Sequence, residues 1–202
     1  MSLLTRAEQA LSSHFDQAAG EGAPPRLVAA MRHAVFSGGA RIRPQLCMAV
    51  ATACGDDAPQ LTNAAAVALE LMHCASLVHD DMPAFDNADT RRGRPTVHKA
   101  FSEPLALLAG DGLIVMAYRV LLQAGVQRPD RLIHLMDNMT TGVGPLGRFY
   151  CFDVVPAASG TTTTQNQLAT TQQLTAATAL TLTAGTGVTT GTAPDGITPI
   201  FI

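Results

Sequence analysis

Basic side chains are scarce in this sequence and are not gathered into one long stripe. The 202 residues include 13 Lys and Arg against 16 Asp and Glu, which gives a formal net charge of −3. Proteins that bind nucleic-acid backbones display a concentrated basic surface, so this charge pattern argues against that class of partner. We therefore expect this chain to bind no nucleic acid.

Cysteines are few, and none of their spacings is typical of a disulfide framework. The four are Cys47, Cys54, Cys74 and Cys151, and no two of them form a CxxC pair. Three fall within apolar helical patterns, which favours reduced, buried thiols. The N-terminus also lacks the apolar core of a signal peptide, so the sequence predicts a cytoplasmic protein.

Alternating strand patterns are absent before residue 140, and helical periodicity takes their place. Pro24 and Pro25 open one amphipathic run, and Thr62 is a candidate cap for an Ala-rich helix that leads to Asp80. The expected fold class is all-α, a helical bundle whose site is built between facing helices.

One segment, 105–122, is almost continuously apolar and raises the question of a membrane span. Asp111 lies near its middle and Arg119 near its end, and each would be costly inside lipid. Ser102 is placed to cap a helix that carries Pro104 in its first turn. The pattern favours a buried core helix and predicts no membrane span.

A block of carboxylates is followed closely by a block of guanidiniums. Asp80, Asp81 and Asp86 come first, and Arg91 and Arg92 follow. This order suits a polyanionic substrate, because acids hold a divalent metal that bridges to phosphate oxygens while arginines bind the remaining oxygens. The sequence therefore predicts diphosphate chemistry.

The spacing within the acidic block also carries geometric information. Pro83 must end or loosen the helix, which lets Asp86 return toward Asp80. His73 lies nearly two turns before Asp80 and so projects on the same side. The alternative is a solvated helix end neutralised by arginines, with His73 a core histidine. The apolar run 64–78 argues against that alternative, because it carries the acids out of a buried helix.

Four blocks of this sequence together resemble the bacterial trans-isoprenyl diphosphate synthases. They are SGGARIRP at 37–44, LELMHCASLVHDDMP at 69–83, Asp86 with RRGRPT at 91–96, and LAGD at 108–111. The resemblance assigns 1–142 to the N-terminal part of an isoprenoid-synthase-like bundle that is incomplete at its C-terminal side. It is strongest toward the geranylgeranyl diphosphate synthases of carotenoid pathways.

The resemblance implies a role for each matching residue. Arg91 would contact an allylic diphosphate, and the metal is expected to be Mg²⁺ held by Asp80 and Asp86 with Asp81 in support. Three cationic side chains are implied to hold isopentenyl diphosphate: Arg43, His73 and Arg92. No side chain acts as a nucleophile. Family members are commonly homodimers, so a homodimer is implied here.

Product length is also implied by the resemblance. In the family, the residues four and five positions before the first aspartate form the floor of the hydrophobic tunnel that holds the growing product. Here they are Ser76 and Ala75, both small. Small residues there favour a geranylgeranyl product over farnesyl diphosphate, which is the alternative product. Close packing between helices is the competing explanation for their size.

Two departures from the family pattern stand out. Ala40 replaces the usual lysine of the Gly-Gly-Lys motif, and Arg41 could compensate. After Asp111 the only aspartates are isolated and no lysine follows Lys99, so the second aspartate-rich motif is missing. We expect a protein of this sequence to turn over its substrates slowly or not at all. The alternative function is a catalytically incomplete partner subunit, which binds a diphosphate or a full-length synthase without turning over.

The last part of the chain, 143–202, differs sharply in composition. From Thr161 on it contains no Lys, Arg, His or Glu, and about one residue in three is Thr. We interpret this tail as a shifted reading frame or a misassigned sequence. A structural β-module is the alternative.

Overall fold

The computed structural model describes residues 1–20 and 22–144, which are predominantly helical. The elements are α1 (Leu3–Ala19), α2 (Pro25–Val35), α3 (Ile42–Ala53), α4 (Pro59–Asp80), β1 (Thr90–Arg91), β2 (Arg94–Pro95), α5 (Val97–Ala100), α6 (Glu103–Gly125) and α7 (Pro129–Val143). The predicted all-α class is confirmed. The antiparallel pair β1 and β2 was missed, because two residues per strand are too short to show alternation.

The chain divides into one compact unit at Met1–Ile133 and a second that begins at His134. The described part of the second unit is the remainder of α7. The predicted division after residue 142 stays a prediction, and the tail from residue 145 onward lies outside the described residues.

Capping explains where several helices begin. Pro25 is the first residue of α2, where its missing N–H costs nothing. Ser102 caps α6 as predicted, because its hydroxyl accepts a hydrogen bond from the backbone N–H of Leu105. The prediction for Thr62 was wrong. It lies inside the first turn of α4, which begins at Pro59, and its hydroxyl donates to Asp56 at 2.6 Å.

The core of the first unit is formed mainly by α4 packed against α6. Both helices bury alanines completely, including Ala68 and Ala75 on α4 and Ala106 and Ala117 on α6. Small side chains at the contact let two helix axes approach closely. This packing holds the end of α4, and with it the acidic block, at the edge of the core.

Contact with α6 also fixes the last turn of α4. The imidazole of His79 lies against Gly110, and a Cβ at that position would collide with the ring. His79 also faces the Asp111 carboxylate at 3.5 Å. The absence of a side chain at Gly110 on α6 therefore gives the His79 ring its space at the end of α4.

Helices α4 and α6 are long and apolar enough to cross a membrane by length and composition alone. A core helix of a soluble protein passes the same test, and the most apolar window of α4 is 61% buried. On α6, Leu108, Val115 and Leu122 form an exposed apolar stripe that also carries Asp111 and Arg119. The predicted lack of a membrane span stays a prediction.

Candidate active site

Helix α4 ends at Asp80, and the chain folds back over its end. Asp81 caps the helix, and the backbone N–H of Asp86 donates to the carbonyl of Asp80 at 2.9 Å. A second return contact joins the N–H of Ala88 to the carbonyl of Asp81 at 3.1 Å. The loop predicted from Pro83 therefore forms, and it brings Asp86 back to Asp80.

The carboxylates of Asp80 and Asp86 influence one another. Burial raises the pKa of Asp80, and the negative charge of Asp86 raises it further. Two anionic oxygen donors that repel each other are stabilised by a divalent cation, and carboxylate oxygens suit Mg²⁺. The chemistry of these two carboxylates fits a magnesium ion, and the metal itself stays a prediction.

Asp81 has a different partner. Asp81 is buried, with 4% of the residue exposed. Its carboxylate accepts three hydrogen bonds from Arg91, at 2.6, 2.8 and 2.9 Å. This hydrogen bonding with Asp81 raises the pKa of Arg91. Within the described ranges, no three His, Cys, Asp or Glu side chains gather as a metal site. Arg91 engages this carboxylate, so the supporting role of Asp81 toward a metal stays a prediction.

Strands β1 and β2 form a hairpin that carries Arg91 and Arg92, two of the three arginines predicted to bind a diphosphate. Arg91 pairs with Arg94, so Arg92 and Gly93 are the two turn residues. Both have positive φ, 53° and 74°, as a type I′ turn requires. Glycine adopts this conformation freely, but for Arg92 it costs about 1–2 kcal/mol.

The Arg92 guanidinium projects onto the Gly38–Gly39 loop that precedes α3. It donates to the carbonyl of Gly38, and a Cβ added at Gly39 would lie 2.6 Å from its Nη1 atom. Gly39 has φ 128°, which other residues rarely adopt. The absence of a side chain at Gly39 thus makes room for Arg92.

His73 lies near several arginines, among them Arg43 and Arg92. Burial, followed by the positive charges of Arg43 and Arg92, lowers the pKa of His73 to about 3. The imidazole is therefore neutral at pH 7, which corrects the expectation of three cationic side chains. Burial also lowers the pKa of Arg43, and its Nε atom is buried without a hydrogen-bond partner. A buried, unpaired guanidinium donor of this kind suits an anionic ligand.

Arg41 does not compensate for the missing lysine at position 40. It is 3% exposed and donates to Glu8, Glu70 and the carbonyl of Val35, each at 2.8 Å. All of these partners belong to the protein, so the guanidinium has a structural role. The exposed Ala40 lies beside it without any charge of its own.

The predicted chain-length residues lie one turn before Asp80. Ala75 is completely buried, and the Ser76 hydroxyl donates to the carbonyl of His73 at 2.8 Å. The burial of Ala75 agrees equally with helix packing and with a tunnel floor, so this role stays a prediction.

Three residues that support the hairpin were given no role from the sequence, although Arg94 and Thr96 lie within the RRGRPT block. Thr96 donates to the carbonyl of Ala88 at 2.8 Å, while His33 and Arg94 join the hairpin to the end of α2. Single side chains that bond to backbone carbonyls far along the chain have no characteristic spacing. Only the tertiary structure reveals them.

Comparison with protein families gives a match to the polyprenyl synthetase model over residues 24–196. The geranylgeranyl diphosphate synthase of Rhodobacter capsulatus is 57% identical over 139 residues, which are 69% of this chain and 48% of that protein. The farnesyl diphosphate synthase of Geobacillus stearothermophilus is 39% identical over 142 residues, 69% of this chain and 46% of that protein. The chain thus spans about half the length of the curated relatives it matches.

Solved structures give the same comparison at the level of the fold. A geranyltransferase from Legionella pneumophila superposes with a TM-score of 0.72 and 33% identity, covering 85% of this chain and 63% of that one. An FPP/GFPP synthase from Zymomonas mobilis superposes with a TM-score of 0.69 and 32% identity, covering 85% and 66%.

Proposed function

Because the chain belongs to the polyprenyl synthetase family, we propose that it is a trans-prenyltransferase that condenses an allylic diphosphate with isopentenyl diphosphate. The return of Asp86 to Asp80 opposite an arginine-bearing hairpin is the observation that carries this proposal. The favoured product is geranylgeranyl diphosphate, with farnesyl diphosphate as the allylic substrate.

Asp80 and Asp86 would hold Mg²⁺, with Asp81 indirectly in support because it fixes Arg91. When bound, Mg²⁺ supplies positive charge that neutralises a diphosphate. Arg91 would contact the allylic diphosphate, while Arg92 and Arg43 would bind isopentenyl diphosphate. His73 would serve as a neutral hydrogen-bonding group beside them, since its pKa is about 3.

These side chains favour ionisation of the allylic substrate. Guanidinium hydrogen bonds stabilise the departing diphosphate as the carbon–oxygen bond breaks, and an allylic carbocation remains. The double bond of isopentenyl diphosphate then attacks the cation. A proton leaves the new intermediate, and the released diphosphate is the base that takes it. The protein supplies charge and position, and no side chain forms a covalent bond.

Two alternatives come from specific observations. The relatives include a farnesyl diphosphate synthase, which makes farnesyl diphosphate the second candidate product. The lack of a second aspartate-rich motif favours a subunit that binds diphosphate without completing catalysis. A cytoplasmic location and a homodimer remain predictions, and the exposed apolar stripe of α6 supports the homodimer.

The direct test incubates the purified chain with farnesyl diphosphate, isopentenyl diphosphate and Mg²⁺. We expect both substrates to bind and geranylgeranyl diphosphate to form slowly, as measured by calorimetry and by mass spectrometry of the products. Binding without any product would favour the incomplete subunit. A chain that binds neither diphosphate would contradict both functions.

Replacing Gly39 with alanine is expected to displace Arg92 and to weaken binding of isopentenyl diphosphate about tenfold, or about 1.4 kcal/mol. The added Cβ would lie 2.6 Å from Arg92 Nη1. The change also costs about 1–3 kcal/mol of stability, because φ at Gly39 is 128°. Titration calorimetry and thermal unfolding measure the two effects.

Gly38→Ala is the matched control. Gly38 also has a positive φ, 92°, but an added Cβ would meet nothing within 4 Å. We expect a similar loss of stability with nearly unchanged affinity. Equal losses of affinity in the two variants would show that backbone strain, and not the position of Arg92, controls binding.

A further inference from the structure

The hairpin that carries Arg91 and Arg92 is too short to be stable in isolation. Each strand contributes two residues, and isolated hairpins are marginally stable in water. Its turn also places Arg92 at a φ of 53°, which a non-glycine residue adopts only at a cost. Contacts from other elements must therefore supply the stability.

His33, near the end of α2, provides two of these contacts. Its Nε2 atom lies 2.8 Å from the carbonyl oxygen of Pro95, and its Nδ1 atom lies 3.3 Å from Nη2 of Arg94. A carbonyl can only accept and a guanidinium can only donate. The neutral imidazole with hydrogen on Nε2 satisfies both contacts. The ring also packs edge-on against Phe101, with 5.6 Å between centroids.

Arg94 continues the same connection. Its Nη1 atom donates to the carbonyl of Phe36, the residue that caps α2, at 3.2 Å. Arg94 pairs directly with Arg91 across the hairpin. His33 and Arg91 also line one small cavity, together with Asp81 and Pro95. The second strand is therefore held to α2 at two points, while Arg91 lies on the first strand and Arg92 on the turn between the strands.

We propose that His33 is a positioning residue for diphosphate binding, which acts by holding the Pro95–Arg94 strand so that Arg92 stays over the Gly38–Gly39 loop. This inference rests on the proposed function. His33 acts in this proposal through the hairpin and not by contact with either substrate. A loose hairpin would let the guanidinium leave its ligand, and small displacements of positioning groups have large effects on binding and rate.

The experiment compares His33→Ala, His33→Gln and Arg32→Gln in the full chain. Glutamine can still donate an N–H to the Pro95 carbonyl. Arg32 is the neighbouring residue of α2; its guanidinium donates to Asp16 at 2.8 Å and lies over the rings of Phe15 and Phe36, and it makes no hydrogen bond to the hairpin. The readouts are the affinity for isopentenyl diphosphate, the affinity for Mn²⁺ as a Mg²⁺ substitute, and hydrogen exchange at residues 90–95.

We expect His33→Ala to weaken isopentenyl diphosphate binding about tenfold and to speed exchange in the hairpin, while Mn²⁺ affinity is unchanged. His33→Gln should recover most of the affinity, and Arg32→Gln should bind as the parent chain does. Unchanged affinity and exchange in His33→Ala would overturn the inference, and so would a parallel loss of Mn²⁺ binding, which indicates general unfolding. If the parent chain binds no isopentenyl diphosphate, the proposed function fails first and the inference fails with it.

Discussion

Replacing Asp80 with asparagine is expected to weaken Mg²⁺-dependent binding of farnesyl diphosphate about 100-fold. The substitution removes one of the two anionic donors that converge at the end of α4, and a neutral amide oxygen is a poor replacement for a Mg²⁺ ligand. Titration calorimetry with farnesyl diphosphate, with and without Mg²⁺, measures this loss.

Stability should move differently from affinity in this variant. Burial and Asp86 raise the pKa of Asp80, so its ionised form is disfavoured in the folded protein. A group of this kind lowers stability once pH rises above its unfolded pKa, because folding then places a charge in an unfavourable environment. Asparagine removes that cost, so the melting temperature at pH 7 should be unchanged or higher.

Asp89→Asn is the control for this prediction. Asp89 lies in the same loop, its side chain is 81% exposed, and it pairs with Lys99 at 2.9 Å. We expect its loss to leave both the metal and the diphosphate affinity unchanged. Equal effects at positions 80 and 89 would mean that overall charge governs binding, and would exclude a specific metal site at Asp80.

Replacing Glu70 with leucine is expected to destabilise the protein by about 3–5 kcal/mol. Glu70 is 2% exposed and pairs with the equally buried Arg41 at 2.8 Å. Removing the acid leaves a buried guanidinium whose remaining carboxylate partner is Glu8. The loss is a large share of the total stability of a typical domain. Urea unfolding followed by far-UV circular dichroism measures it.

Glu8→Leu is the control that separates the effect of burying an ion pair from the effect of forming one. Glu8 binds the same guanidinium at the same distance, 2.8 Å, but its side chain is 42% exposed. Solvent screens an exposed ion pair, so we expect a loss of at most about 1 kcal/mol. If both leucine variants lost equal stability, the depth of the pair would not be what determines its contribution.

Local features of the sequence predicted the helices well where the signal was also local. Pro25 opens α2 and Ser102 caps α6, because each acts on backbone groups within one turn. The prediction that Thr62 caps α4 failed because the helix begins three residues earlier, at Pro59. The threonine hydroxyl donates to Asp56 instead. Start signals that compete within one turn are not resolved by propensity alone.

The candidate site was only partly predictable for a similar reason. The spacing of Asp80 and Asp86 around Pro83 predicted their approach. The pairing of Asp81 with Arg91 and the burial of Arg41 against Glu70 depend on which way each side chain turns. His73 likewise looked cationic until the surrounding burial and arginines were known, since these lower its pKa. Charge state and partner choice are tertiary properties.

At Arg92 a left-handed backbone conformation lowers stability, while the side chain is the one proposed to bind the ligand. Glycine at that place would relax the turn, because it adopts a φ of 53° without steric cost. It would also discard the guanidinium that reaches Gly38. Selection for heat resistance alone would therefore favour a more stable protein that binds the proposed diphosphate ligand more weakly, a trade-off common at ligand-binding positions.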